Sequence, residues 1–292
     1  MTVMSGTRDA VLIAGPTASG KSALALALAE ARDAVIVNAD AMQVYDTLAV
    51  VTARPGDADL AAAEHRLYGF VPAATRFSTG RWLEATAEVI AATGDRPVIF
   101  VGGTGLYFDA LINGFADIPS IPETVALEVE QEVQALDAAA RLALLQREDP
   151  VTAARLKVAD PQRVIRALAV KRATGRTLSS FQDSPQAGLL DGWAVERLVL
   201  DPERDLLRER IARRFAAMFD GGAVAEVEAV LAQRLDPSLP AMKAIGVPEI
   251  SGWLAGRLTR AEALQLAITA THQYAKRQRT WFRNRMGDWP RR

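Results

Sequence analysis

The sequence predicts an α/β fold with a P-loop NTPase-like parallel sheet core flanked by helices and an all-helical insertion domain. Two observations carry this prediction. Apolar strand segments alternate with helical segments over the first hundred residues, which is the pattern of a parallel sheet covered on both faces. A phosphate-binding loop follows the first strand segment. We expect the sheet core, with the C-terminal helices, in residues 1–116 and 193–292 and the insertion in residues 117–192.

The elements of the N-terminal half follow from its apolar patterning. The predicted strands are residues 11–14, 34–38 and 97–101, and the predicted helices are residues 22–32 and 81–93. This alternation is the βαβ arrangement that makes neighbouring strands parallel.

The pattern changes after residue 119. Residues 122–175 have only helical periodicity, and the Asp-Pro pairs at 149–150 and 160–161 are typical helix starts. Residues 193–200 favour a strand that returns to the sheet. Helices then dominate, with breaks near Gly221, Pro237 and Gly246.

Composition excludes several classes of protein. Hydrophobic residues make up 50% of the chain and charged residues 24%, the formal net charge is −1, and there is no cysteine. No apolar run approaches the roughly 20 residues of a membrane span, and the polar residues 1–9 predict no signal peptide. Without thiolates, a metal would be held by oxygen atoms or by His65 and His272. We expect a cytoplasmic protein with no membrane partner.

The most specific motif is G-x-x-x-x-G-K-S between a strand segment and a helical segment. Backbone N–H groups of such a loop surround an anion at a helix N-terminus, Lys21 adds a positive charge, and the Ser22 hydroxyl is placed to bind Mg²⁺. The motif predicts a polyphosphate site, but it leaves open whether the phosphate is hydrolysed, transferred or displaced. Its residues are Gly15, Pro16, Thr17, Ala18, Ser19, Gly20, Lys21 and Ser22.

Two further groups of residues follow predicted strands, at the sheet edge where ligands bind. Asp40 follows the second strand, where a carboxylate can bind magnesium, cap the next helix or accept a proton; the residues leave these roles open. Gly102, Gly103 and Thr104 follow the third strand, where ordinary NTPases carry a magnesium-directing acid. The missing acid argues against an ATPase or GTPase.

Basic residues are clustered although the net charge is near zero. Three clusters, with Trp281, Phe282 and Trp289 among the last, favour a nucleic-acid partner, and solvated helix faces are the alternative for each cluster alone. The clusters are Arg155, Lys157, Arg163, Arg166, Lys171, Arg172 and Arg176; Arg204, Arg208, Arg210, Arg213 and Arg214; and Lys276, Arg277, Arg279, Arg283, Arg285, Arg291 and Arg292.

Six motifs, in order along nearly the whole chain, resemble the tRNA dimethylallyltransferase family. They are GPTASGKS in the phosphate loop, DAMQVY at 40–45, TARP at 52–55, GGTGLY at 102–107, DPQRVIRAL at 160–168 and AKRQRTWFR at 275–283. The resemblance implies transfer of a dimethylallyl group from dimethylallyl diphosphate to the exocyclic amine (N6) of the adenosine 3′-adjacent to the anticodon in tRNA, with release of diphosphate. It implies Mg²⁺ as cofactor and the tRNA anticodon stem-loop as partner, and we expect a monomer.

The resemblance also assigns roles to residues. Asp40 matches the family's catalytic aspartate, which accepts the proton of the attacking amine. Arg214 matches its diphosphate-binding arginine, Thr104 matches a position that contacts the diphosphate or the base, and Ser22 is the expected metal ligand. The positions expected to contact tRNA are Asp40, Ala41, Met42, Gln43, Thr104, Gln162, Arg163, Val164, Ile165, Arg166, Lys243, Gly246, Lys276, Arg279 and Arg283.

One departure from the family pattern is Ala41, which stands where a serine is usual. It removes neither the proton acceptor nor the phosphate loop, so we expect activity. Two other functions are compatible with a phosphate loop and basic clusters: a P-loop small-molecule kinase and a nucleotide-gated RNA-binding protein. The missing acid after the third strand and the basic clusters count against the kinase.

Overall fold

The computed structural model of the chain describes residues 8–156, 158–184 and 187–292 and has two compact units. One unit ends at Ile112 and resumes at Leu189, and the other is Asn113–Gly188. The boundaries lie four residues before the expected ones at each end. The return boundary has a physical reason, because Leu190 is buried in the core of the first unit and its N–H donates to the carbonyl oxygen of Leu111 at 3.3 Å.

The described residues of the first unit contain one parallel sheet of five strands, with the order β3-β2-β4-β1-β5. The α/β fold class and the four expected strands are confirmed. The pairing of β3 with β2 was not expected, because a strand of two residues has no periodicity to detect. The strands are β1 (Asp9–Ala14), β2 (Val35–Asn38), β3 (His65–Arg66), β4 (Val98–Gly102) and β5 (Ala194–Val199).

Helices account for most of the remaining described chain. The predicted breaks near Gly221 and Gly246 each separate two helices, and helices fill the insertion as expected. No helix among the described residues is long and apolar enough to cross a membrane. The helices are α1 (Lys21–Arg32), α2 (Asp57–Ala62), α3 (Thr79–Ala92), α4 (Gly105–Asn113), α5 (Glu123–Gln134), α6 (Ala138–Glu148), α7 (Pro150–Arg155), α8 (Pro161–Thr174), α9 (Leu178–Gln182), α10 (Arg204–Asp220), α11 (Ala223–Ala232), α12 (Val247–Leu254) and α13 (Arg260–Arg285), with a 3₁₀ turn at Ala241–Lys243.

Hydrophobic packing covers both faces of the sheet, as a parallel sheet requires. Successive strand residues point to opposite faces, so Ile13 packs with Ala25 of α1 on one face and Leu12 packs with Trp82 of α3 on the other. Because both faces are buried, the open edge at the carboxyl ends of the strands is where polar side chains gather.

The insertion unit has its own apolar core, in which Val129, Val164 and Leu168 are fully buried. Ion pairs within it account for part of the first basic cluster. Arg172 pairs with Glu148 and with Glu132, and Arg155 pairs with Asp183 at 2.7 Å, while Lys157 lies outside the described residues. These arginines therefore have partners of their own inside the unit.

Candidate active site

The phosphate loop connects β1 to α1, as its motif predicts. Ala18 and Gly20 have left-handed backbone conformations, with φ of 63° and 94°, which turn neighbouring N–H groups toward a common point. Ser19 N–H closes the turn on the carbonyl oxygen of Pro16 at 3.2 Å. The first N–H groups of α1 have no acceptor within the helix, so this end attracts anions.

Two half-buried cations, Lys21 and Arg214, lie beside the loop. Lys21 donates from Nζ to the carbonyl oxygen of Pro16 at 3.0 Å. Burial lowers the pKa of Lys21 to about 8; the charge of Asp40 opposes this shift and that of Arg214 adds to it. Burial also lowers the pKa of Arg214, whose guanidinium donates a hydrogen bond to the hydroxyl of Thr17. Two poorly solvated positive charges next to loop amides make a strong anion site.

Two cavities meet at this point. The first, which we call the loop cavity, has a volume of about 450 Å³ and is lined by the loop, Gln43, Tyr68, Arg210 and Arg213. The second, the Lys243 cavity, has a volume of about 290 Å³. Its walls include Met42, Val51, Phe215, Lys243, Tyr274 and Arg277. Thr17, Asp40, Thr52 and Arg214 line both cavities, so an anion in one and a planar group in the other would meet beside Asp40.

Asp40 follows β2 in a short hydrogen-bonded turn. Its N–H donates to Asn38 Oδ1 at 2.9 Å, and its own Oδ1 accepts from Met42 N–H at 2.9 Å. The carboxylate caps no helix, because the next helix is α2 at Asp57–Ala62, so the helix-cap alternative is wrong. Oδ2 has no hydrogen-bond donor among the described residues. It is the oxygen available to accept a proton.

Three tyrosines surround this carboxylate. Burial, and next the negative charge of Asp40, raise the pKa of Tyr68, Tyr107 and Tyr274. These phenols remain protonated at neutral pH, so they are hydrogen-bond donors or apolar walls here rather than bases.

Thr104 holds the backbone on the other side of Asp40. Its N–H donates to the carbonyl oxygen of Ala39 at 3.1 Å, and its hydroxyl accepts from Ala41 N–H at 2.9 Å. The backbone at Ala41 is therefore fixed by a neighbouring side chain even though its own side chain has no hydroxyl.

Glu226 fixes the chain segment that leads into the walls of the two cavities at Val51 and Thr52, and sequence reasoning did not identify it. Its carboxylate accepts hydrogen bonds from the consecutive N–H groups of Ala49, Val50 and Val51. The same segment continues to Thr52, whose carbonyl oxygen accepts from Gln43 Nε2 at 2.9 Å. No sequence signal pairs residues about 175 positions apart.

The residues expected to contact tRNA occupy three places. On α8, Gln162, Arg163 and Arg166 are exposed, whereas Val164 is buried in the insertion core and Ile165 packs against that core. Lys243 lines the Lys243 cavity, and Gly246 begins α12 beside Phe215. Asp40, Ala41, Met42 and Gln43 also line the two cavities, and Thr104 hydrogen-bonds to Ala41 beside them. The last three expected residues, Lys276, Arg279 and Arg283, lie on α13.

Helix α13 presents different chemistry on opposite faces. At about 100° per residue, Lys276, Arg279 and Arg283 share one face, and Tyr274, Gln278 and Trp281 share the opposite one. The first face lines a separate groove of about 480 Å³, the basic groove, together with Arg204, Arg208 and His272. None of the three expected α13 cations lines the two cavities at Asp40, but Arg277, which was not expected, lines the Lys243 cavity.

The aromatic residues that stand among the basic residues near the C-terminus are packed into the protein rather than displayed beside those charges. Phe282 and Trp289 are 1% and 5% exposed and belong to the core. Trp281 lies over Gly105, where a Cβ would be 2.0 Å from its ring. Trp281 and Phe282 therefore belong to the packed side of α13, and Trp289 packs in the core after that helix has ended.

Comparison with known proteins places this arrangement in a family. Family models described as IPP transferase and isopentenyl transferase match residues 43–285 and 8–70. The chain is 52% identical to the tRNA dimethylallyltransferase of Chelativorans sp. (strain BNC1), over 97% of this chain and 98% of that protein. It is 53% identical to that of Methylobacterium sp. (strain 4-46), over 95% of this chain and 92% of that protein.

Solved structures agree with this match. The tRNA isopentenylpyrophosphate transferase of Bacillus halodurans superimposes with a TM-score of 0.68 at 29% identity, over 98% of this chain and 89% of that one. A eukaryotic dimethylallyltransferase acting on tRNA has the same fold, with a TM-score of 0.79 at 24% identity, over 94% and 70% of the two chains. With a family model covering most of the chain and relatives above 50% identity over nearly its full length, the chain belongs to the tRNA dimethylallyltransferase family.

Proposed function

We propose that this enzyme transfers a dimethylallyl group from dimethylallyl diphosphate to N6 of the adenosine 3′-adjacent to the anticodon in tRNA. The observation that carries the proposal is the position of Asp40, which lines both the loop cavity and the Lys243 cavity. The diphosphate binds in the loop cavity, and the adenine enters the Lys243 cavity. The base must leave its stack first, at a cost of a few kcal/mol that is lower in a loop than in a duplex.

The reaction forms one bond between N6 and the allylic carbon and breaks the bond between that carbon and the diphosphate oxygen. The proton of the attacking amine goes to Asp40, and the bonding electron pair leaves with diphosphate. Loop N–H groups, Lys21 and Arg214 stabilise the charge that grows on the leaving group. Thr104 holds the backbone of Ala39 and Ala41, on either side of Asp40.

The donor atoms of the loop cavity suit Mg²⁺. The described residues contain no cluster of three or more His, Cys, Asp or Glu side chains that could hold a metal by themselves. Ser22 and Asp40 supply oxygen atoms to the cavity, and Mg²⁺ commonly binds through one or two protein oxygens plus phosphate oxygens and water. We propose Ser22 as the protein ligand. The bound ion would neutralise charge on the departing diphosphate.

The tRNA contacts proposed for this chain lie around the loop cavity and the Lys243 cavity, and on α8. Ala41, Met42, Gln43, Lys243 and Gly246 border the two cavities or their walls. Gln162, Arg163 and Arg166 are exposed, and neither arginine has an ion-pair partner in the described residues, so their charges are available to phosphates. We expect the enzyme to act as a monomer in the cytoplasm.

Calorimetry and a transfer assay test the proposal. We expect magnesium-dependent binding of dimethylallyl diphosphate or its unreactive thio-analogue, with clearly weaker binding of ATP. An unmodified anticodon stem-loop should gain a dimethylallyl group with release of diphosphate and without ATP use. Tight ATP binding with turnover stimulated by a small metabolite would favour the kinase, and RNA binding without group transfer would favour the nucleotide-gated binding protein.

A further inference from the structure

The side chain of Gln278 joins the phosphate loop to the turn that follows β4. Its Oε1 accepts from the N–H of Thr17 at 2.9 Å, and its Nε2 donates to the carbonyl oxygen of Gly103 at 3.0 Å. The side chain is buried, with 5% exposure, so neither hydrogen bond can be replaced by one to bulk water. One side-chain amide therefore connects the phosphate loop, which follows β1, with the turn that follows β4.

The contact at Gly103 leaves no room for a side chain. A Cβ on Gly103 would lie 2.1 Å from Gln278 Nε2 and 3.3 Å from Asp40 Oδ2. Gly103 thus lies next to both the amide of Gln278 and the carboxylate of Asp40. Any displacement of Gln278 moves the backbone against which Asp40 packs.

Neighbours on the same face of α13 fix the position of Gln278. Tyr274 lies one turn earlier; burial raises the pKa of its phenol overall, but it is close enough to Thr104 and Gln278 for both side chains to lower that pKa. Trp281, one turn later, lies in contact with Gly105. Three side chains of one helix face thus contact three consecutive residues, 103–105, and hold the amide of Gln278 in register.

We infer that Gln278 is a positioning residue for group transfer, whose amide sets the separation between the phosphate loop and the turn beside Asp40. The inference rests on the proposed function, in which the loop holds the leaving diphosphate and Asp40 accepts the proton of the attacking amine. A reacting group misplaced by about 1 Å can lower a rate about 10²-fold. Loss of the amide should therefore slow transfer far more than it weakens binding of tRNA.

The first test is Gln278→Met, which keeps the length and volume of the side chain but makes neither hydrogen bond. With both substrates saturating, the single-turnover rate should fall about 10²-fold while the Kd for the anticodon stem-loop stays within about threefold. The matched control is Gln265→Met on the exposed part of α13, which should retain the wild-type rate. A wild-type rate for Gln278→Met at a temperature where it is folded overturns the inference.

The second test is Gln278→Glu, which depends on protonation. A neutral carboxylic acid can accept from Thr17 N–H and donate to the Gly103 carbonyl, whereas a carboxylate can only accept. The rate of the variant relative to wild type should therefore rise as pH falls. If the rate of Gln278→Glu relative to wild type does not change with pH, the inference is overturned. This second test can be read even if Gln278→Met fails to fold. If the wild-type protein itself transfers no dimethylallyl group, the proposed function fails instead.

Discussion

The guanidinium of Arg214 hydrogen-bonds to the hydroxyl of Thr17, although 197 positions of sequence separate the two residues. This contact holds a half-buried positive charge of α10 against the phosphate loop. The Thr17 N–H is held by Gln278, so Thr17 is fixed through both its backbone and its side chain. The position of the Arg214 guanidinium relative to an anion bound in the loop thus depends on the hydroxyl group of Thr17.

Thr17→Val replaces that hydroxyl by a methyl group of similar size. A hydrogen bond to a charged group contributes about 1.5–3 kcal/mol, so we expect turnover to fall about 10- to 10²-fold. Single-turnover rates and the thermal midpoint should be compared with those of Thr269→Val, an exposed threonine of α13. Equal rates for the two variants would mean that Arg214 keeps its position without Thr17.

Lys21 should make diphosphate binding depend on pH. Its pKa of about 8 in the free protein means that it loses its proton as pH rises through that value, whereas a bound diphosphate favours the charged form. Binding above about pH 8 must therefore take up a proton, and the Kd should rise by up to about tenfold per pH unit. Calorimetry in buffers with different ionisation enthalpies measures this uptake directly.

Lys21→Met should abolish this pH dependence and lower turnover about 10²- to 10³-fold. A Kd for the wild-type protein that is constant from about pH 7.5 to about pH 9.5 would contradict the low pKa of Lys21. The same shift has a consequence for stability. Because the pKa is lowered from 10.5, the unfolded chain binds more protons between about pH 8 and 10.5, so this group adds stability as pH rises through that range.

Asp40→Asn should lower turnover about 10²- to 10⁴-fold while tRNA affinity changes little. The amide oxygen of asparagine can still accept from Met42 N–H, so the turn after β2 should be retained. Asp46→Asn, on an exposed carboxylate, is the control. Loss of thermal stability and tRNA affinity with a high residual rate would show that the carboxylate is needed for folding rather than for proton transfer.

Salt dependence can separate the two surfaces offered for RNA. Each phosphate contact that is lost should lower the slope of log K against log salt concentration by about 0.7 to 0.9. We expect Arg163→Ala/Arg166→Ala to reduce this slope and to leave diphosphate affinity unchanged. An unchanged slope for this variant, with a reduced slope for Lys276→Ala/Arg283→Ala, would move the RNA contact to the basic groove.

Local patterns in the sequence were sufficient to predict the phosphate loop and most of the sheet. A loop motif and an apolar strand each depend on neighbouring residues, so Lys21 and Asp40 could be recognised without the fold. The spacing of Lys276, Arg279 and Arg283 correctly predicted a shared face. It could not predict which face of α13 turns toward the phosphate loop, because that depends on tertiary packing.

The residues that sequence reasoning missed act over long separations. Glu226 and Gln278 each bind backbone groups more than 170 positions away, and their partners are N–H and C=O groups that every residue has. The clue in the sequence was the spacing of Tyr274, Gln278 and Trp281, which places a glutamine between two aromatic residues on one helix face.

The hydrogen bond between Thr17 and Gln278 spans 261 positions, so the two ends of the site are made at very different times during translation. A ribosome adds about 5–20 residues per second, which leaves the phosphate loop without its α13 partner for roughly 13–50 s. Contacts between residues so far apart in sequence also carry a larger loop-closure entropy than local contacts do. A nascent chain that lacks α13 would therefore carry the phosphate-binding motif but not the fixed loop geometry, and it should not compete for prenyl diphosphate before synthesis reaches that helix.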